Sequence, residues 1–295
     1  MNIQNVIGSA KDDVLNGSLG NNVFEGGAGA DAIRGNGGID TASYNGSSAG
    51  VNVNLSTNVN AGGDAEGDLL FDISNLFGSK FADTLTGDGS ANTLTGNGGG
   101  DALYGMAGND RLVITDTPTM IDGGSDKDFL FVSGGGSVSL SESTFTGIES
   151  VYVRNDTHLD MSQVITGSRI ASQSTVGHGV EIIGTSGADT IKAGKGGDAI
   201  EGGAGGDKLF AGAGSDTFHF QAGFGRDNVY KFDVATDHIT VDIAGATGVT
   251  LKEFHGGQDT IVTFAGVEGA NKIILHDVTV AEIHAGPSDL FTFGA

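Results

Sequence analysis

The chain has 295 residues, 53 of them glycine and only 2 proline, with no cysteine or tryptophan; 37 acidic against 14 basic side chains give a formal charge of −23. Glycine without a triplet period and with so little proline excludes a collagen helix or a Pro-rich disordered chain, and 38% hydrophobic content argues against plain disorder. The charge opposes nucleic acid and anionic membrane surfaces and pushes a folded chain apart unless cations bind, while the absence of cysteine means that an exported chain of this kind needs a staple other than disulfides, such as metal.

The start, "MNIQNVIGSAKDDVLNG", lacks the basic stretch and apolar run of a secretory signal peptide. Nowhere does an apolar run approach the roughly 20 residues of a transmembrane segment. A first block, residues 1–44, places Asp13, Asn22, Asp31 and Asp40 nine residues apart, with Leu15, Phe24, Ile33 and Ala42 two residues beyond each. Residues 45–77 form a strand-rich connector in which "GVNVNLSTNV" alternates apolar and polar as a half-buried strand does. Its acidic stretch with Asp64, Glu66, Asp68 and Asp72 reads equally as a further cation site or a solvated loop.

The period returns in residues 78–131 as Asp83, Asn92, Asp101 and Asp110, each followed by a leucine. It lapses at Thr119, where Asp is expected, and resumes at Asp128. Residues 132–183, rich in Val, Ser and Thr, read as a second connector of short strands. The third block, 184–219, has Asp189, Asp198, Asp207 and Asp216 with Ile191, Ile200, Leu209 and Phe218. Residues 220–295 depart from the period.

Each position in the repeat has a physical reason. Glycine tolerates positive φ and close backbone approach, so a Gly-rich hexapeptide can curl until its carbonyls converge, and the closing Asp adds a charged oxygen. A hard cation such as calcium takes 6–8 oxygen ligands of this kind. The residues after the Asp form a short strand with its middle side chain inward. Two units make a coil, so residues eighteen apart stack: Asp13 faces Asp31, and Asn22 faces Asp40. Stacked strands lie about 4.8 Å apart, where unneutralised carboxylates repel and a divalent ion between them reverses the sign.

The motifs "GGAGADAIR", "GNGGGDALY" and "GGAGGDKLF" resemble the calcium-binding nonapeptide of the RTX (repeats-in-toxin) family. The resemblance implies an all-β chain: calcium-loaded parallel β-roll (β-solenoid) blocks joined by β-strand-rich segments, with several Ca2+ ions as cofactor. It also implies ions between turns two repeats apart, held by carbonyls and closing side chains. The first block would pair Ser9, Lys11 and Asp13 with Gly26, Ala28 and Asp31, and Ser18, Gly20 and Asn22 with Gly35, Gly37 and Asp40. The second would pair Ser79, Phe81 and Asp83 with Gly96, Gly98 and Asp101; Asp88, Ser90 and Asn92 with Gly105, Ala107 and Asp110; and Met106, Gly108 and Asp110 with Gly123, Ser125 and Asp128. The third would pair Thr185, Gly187 and Asp189 with Gly202, Ala204 and Asp207, and Gly194, Gly196 and Asp198 with Ala211, Ala213 and Asp216. Thr119 departs from the pattern above Asp101. Residues 220–295 resemble the β cap and uncleaved type I secretion signal of the family, which implies a secreted, extracellular or cell-surface protein of a bacterium.

Many RTX proteins are enzymes, but this chain offers no catalytic set. It has no His-Glu-x-x-His, and its seven histidines lack zinc-ligand spacing. "GSSAG" matches Gly-x-Ser-x-Gly, yet Ser48 precedes a strand instead of following one into a helix. "DGSAN" begins like an EF-hand loop but meets Gly99 where a bidentate Glu belongs. The reading is a non-enzymatic calcium-binding structural protein of a surface layer, biofilm matrix or adhesive layer, with self-association or a cell-surface polysaccharide as its partner. The alternatives are a calcium-dependent polysaccharide-binding module and a membrane-active secreted protein resembling the nodulation-secreted RTX proteins.

Overall fold

Three-residue strands, each burying one side chain between two flanking turns, repeat along the chain. The computed structural model describes residues 4–267 and 271–294. Contacts divide the chain into two compact units, residues 1–133 with 143–149, and residues 134–142 with 150–295.

In the first unit one face is a parallel sheet running Asn5–Ile7, Val23–Glu25, Thr41–Ser43, Asn75–Phe77, Thr93–Thr95, Arg111–Ile114 and Phe129–Val132. Its register stacks Val6, Phe24, Ala42, Leu76, Leu94, Leu112 and Leu130 in one line. The opposite face has two parallel sheets. One stacks Leu15, Ile33 and Leu70, the other Val53, Leu85, Leu103, Ile121 and Phe145. Pairing is eighteen residues apart except around an excursion, where Ala42 stacks on Leu76, Ile33 on Leu70 and Val53 on Leu85, and at Phe145, which stacks on Ile121. Within that excursion Val51 and Val53 are buried around strand Asn52–Asn54.

The core is therefore a ladder of stacked, mostly aliphatic side chains. Leu94 is fully buried between Leu76 and Leu112. Leu94→Ala is expected to cost about 2–5 kcal/mol, the range for emptying a buried leucine site that relaxes incompletely. Urea denaturation at saturating calcium checks it, and a loss under about 1 kcal/mol would show that the coils collapse onto the gap.

In the second unit Ser150–Val153, Arg169–Ser172, Thr190–Lys192, Lys208–Phe210, Arg226–Tyr230 and Lys272–Leu275 form one parallel face. Asp259–Ala265 and Gly248–Phe254 then continue it as an antiparallel hairpin. The other face runs Ser137–Ser141, His158–Gln163, Glu181–Ile183, Ala199–Glu201, Thr217–Gln221, His238–Asp242 and Phe291–Phe293. The described residues after 220 thus extend both sheets and end them with the hairpin and a short helix, Val280–Ala285. Thr279 and Glu282 cap that helix reciprocally. No described helix is long and apolar enough to cross a membrane.

Candidate metal centres

The turns between strands carry the closing carboxylates, and parallel in-register stacking brings them into columns. The backbone N–H of one closing residue donates to Oδ1 of the next: Asp13 to Asp31 at 2.8 Å, Asn22 to Asp40 at 2.7 Å, Asp83 to Asp101 at 3.0 Å, Asn92 to Asp110 at 2.7 Å and Asp110 to Asp128 at 2.7 Å. The third block repeats this from Asp189 to Asp207 at 2.8 Å and from Asp198 to Asp216 at 2.9 Å. Each pair expected from the sequence is thus adjacent.

The columns also contain residues that the period does not reveal. Asp31 donates to Asp68 at 2.9 Å, Asp128 to the Glu149 carboxylate at 2.6 Å, Asp207 to Asp227 at 2.9 Å and Asp216 to Asp237 at 3.0 Å. These partners lie 37, 21, 20 and 21 residues on, because longer strands or the excursion intervene. The N–H contact to each carboxylate, not the nine-residue spacing, identifies them.

The second carboxylate oxygen divides the turns into two kinds. Where the turn's second residue has negative φ, its N–H closes onto the carboxylate. Ser9 does this to Asp13, Ser79 to Asp83, Thr185 to Asp189, Gly194 to Asp198 and Gly212 to Asp216, at 2.6–2.9 Å. Ser18 and Asp88 do the same to Asn22 and Asn92. Where that residue is left-handed, the N–H is turned away. Gly27, Asn36, Asn97, Met106, Gly124 and Gly203 have φ between 70° and 93°, and Oδ2 of Asp31, Asp40, Asp101, Asp110, Asp128 and Asp207 is buried without a hydrogen-bond partner. Gly27 also packs on the Ser9 carbonyl, where a Cβ would collide.

An unpartnered buried carboxylate oxygen costs free energy unless a proton or cation meets it. Each of the six closes a turn in a column of stacked carboxylates, and carboxylate oxygens together with backbone carbonyls are the hard-oxygen donor set that fits calcium. The carbonyls of Asp88, Met106 and Gly194 also accept the N–H groups of Ala107, Ser125 and Ala213, so successive turns are already held together. Burial raises the carboxyl groups above the usual range: Asp110 and Asp216 to about 6, Asp101 to about 7 and Asp207 to about 8, with Asp31, Asp83, Asp128 and Asp189 also raised. Neighbouring carboxylates add to the effect at Asp101, Asp110 and Asp207.

Two places differ. In the lapsed turn, Thr119 keeps the strand bond to the Asp101 carbonyl, and Asp116 enters from three residues earlier, accepting the Gly99 N–H at 2.7 Å through Oδ2 while Oδ1 is buried and unpartnered. In the excursion, the buried Tyr44 hydroxyl donates to Asp68 Oδ2 at 3.0 Å. The turn before Asp68 tightens into a 3-10 helix, Gly63–Ala65, whose flanking carbonyls Gly62 and Ala65 accept the N–H groups of Ala65 and Asp68. Asp64 is partly exposed, and Glu66 and Asp72 are exposed.

A family model described as "RTX calcium-binding nonapeptide repeat (4 copies)" matches residues 7–42, 77–112 and 183–218. No curated protein sequence matches the chain. Among solved structures, the crystal structure of extracellular lipase LipA from Serratia marcescens aligns at 16% identity over 99% of this chain and 40% of the lipase chain, with a TM-score of 0.27. This chain therefore spans about two fifths of the lipase's length. The same family model thus matches at all three blocks where the carboxylates stack, so these blocks are RTX calcium-binding nonapeptide repeats.

Proposed function

We propose that the chain is a secreted, non-enzymatic calcium-binding protein that folds in extracellular calcium and builds or attaches to a bacterial surface layer, biofilm matrix or adhesive layer. The observation that carries this reading is the set of buried, unpartnered carboxylate oxygens spaced along the coils. They make the fold depend on a cation that is scarce inside cells and abundant outside them. Low cytosolic calcium leaves the chain unfolded and exportable, and external calcium folds it after export. The family match supports calcium binding, and the long repetitive faces suit repeated attachment.

Export and assembly are tested separately. Expressed beside a type I secretion apparatus, the chain is expected in the medium at full length; retention in the cells overturns the export step. Imaged by electron microscopy with calcium and with chelator, the purified protein is expected to form sheets or filaments only with calcium. Dispersed monomers under both conditions overturn the assembly step, and binding to an immobilised polysaccharide would move the function to sugar attachment.

A further inference from the structure

The six unpartnered Oδ2 atoms described above all belong to pairs that the repeat blocks assign. A seventh does not. Asp227 lies eleven residues after Asp216, outside the matched blocks, and is fully buried with Oδ2 unpartnered. We propose that Asp207 and Asp227 form a further site for a hard divalent cation, binding calcium between turns 202–207 and 222–227 and ordering the segment that follows.

The local structure is the same as in the turns whose carboxylate oxygen is left open. Residues 222–227 read "AGFGRD", with Gly223 in second place at φ 88°. The left-handed Gly223 turns its N–H from the carboxylate, as Gly203 does at the same place before Asp207. Asp227 Oδ1 accepts the Asp207 N–H at 2.9 Å, as Asp207 Oδ1 accepts that of Asp189 at 2.8 Å. Fourth-place Gly225, φ 89°, packs on the Gly205 carbonyl as Gly205 packs on that of Gly187. Both turns therefore present an unpartnered oxygen toward the same column, whereas in the pair Asp189–Asp207 only Asp207 does.

The parallel column ends differently. Asp237 also accepts a column N–H, from Asp216, but Asp233 N–H closes on its Oδ2 at 2.9 Å. The Asp233 carbonyl is taken by Thr236 and Asp237 N–H groups. Asp237 thus serves as an internal control with a carboxylate in the column and no open oxygen.

The consequence reaches the C-terminal segment. Strand Arg226–Tyr230 pairs with Lys272–Leu275, the Gly225 N–H donates to Asn271 Oδ1 at 3.2 Å, His276 Nε2 meets Asn228 Oδ1 at 3.1 Å, and the His276 ring stacks on Tyr230 at 4.2 Å. An ion at Asp227 fixes the strand against which the last strands pair.

The site rests on the calcium reading, and the test separates the two. Native mass spectrometry of the full chain in calcium counts bound ions in the wild type, Asp227→Asn, Gly223→Val and Asp237→Asn. Asp227→Asn keeps the Oδ1 acceptor, and a Cβ at Gly223 meets no atom within 4 Å, so valine acts there chiefly through the strained φ. Asp227→Asn and Gly223→Val should each bind one ion fewer than wild type, and Asp237→Asn the same number. Calcium-dependent amide protection of residues 226–230 and 272–275 should fall in the first two. Unchanged ion counts in Asp227→Asn and Gly223→Val overturn the site while leaving the blocks' calcium binding intact. A wild type that binds no calcium overturns the reading beneath it. Should Asp227→Asn not fold, the Gly223→Val count decides.

Discussion

Stripped of calcium near pH 8, the chain is expected to lose most of its β-structure, and acidification toward about pH 5 without any metal is expected to restore part of it. A free aspartate titrates near 3.9, whereas burial holds Asp110 and Asp216 at about 6, Asp101 and Asp227 at about 7 and Asp207 at about 8. The folded chain therefore retains protons that the unfolded chain releases. Such groups stabilise the metal-free fold fully below about pH 4, and their contribution is lost as pH rises through about 6 to 8. Calcium has the opposite dependence: it must displace those protons, so its affinity rises with pH over the same window. Circular dichroism at several pH values, with calcium and with chelator, checks both signs. Equal metal-free folding at pH 5 and pH 8, or calcium affinity independent of pH, would show that the stacked carboxylates do not govern the fold.

Asp110→Ala is expected to have the largest effect of any single carboxylate substitution in the second block. Asp110 is shared: its Oδ1 accepts the Asn92 N–H, its own N–H donates to Asp128, and its Oδ2, like that of Asp128, is buried and unpartnered. Alanine leaves the Asn92 N–H without its acceptor, a loss of about 1–3 kcal/mol for a buried donor, and removes a ligand from the pairs on both sides. Two ions should be lost, with a lower urea midpoint at saturating calcium. Asp13→Ala, at a partly exposed end of its column, should lose no more than one. Native mass spectrometry with urea titration distinguishes the two, and equal losses would mean that each turn binds alone.

These expectations depend on features of unequal legibility. The nine-residue period gives the strands, the inward aliphatic residues and the eighteen-residue stacking, because Leu85, Leu94, Leu103 and Leu112 leave no other arrangement that buries them. Charge alone ranks the Asn22 and Asn92 pairs as the last to fill and the third block as the most calcium-dependent. The structure adds a separate variable, the handedness of each turn's second residue, on which Asp198 and Asp216 are both closed by an N–H. Glycine at that place hints at the left-handed form, but Asn36, Asn97 and Met106 adopt it without being glycine, while Gly194 and Gly212 do not adopt it. Asp227 was legible in principle, since "AGFGRD" keeps the hexapeptide. It escapes a fixed period because strand Thr217–Gln221 has five residues where the blocks have three. Asp68 and Tyr44 meet only through the folding of the excursion, which no spacing reports.

The single-file core has a mechanical consequence. Within each unit a coil touches chiefly the coils above and below it, so stability is a sum of nearest-neighbour terms. Denaturation of such an array proceeds by fraying from an end and by splitting at a weak rung, and one melting temperature does not describe it. Under tension the parallel strands should part coil by coil, giving a sawtooth of small, similar forces instead of one large rupture. Calcium would set the height of each tooth.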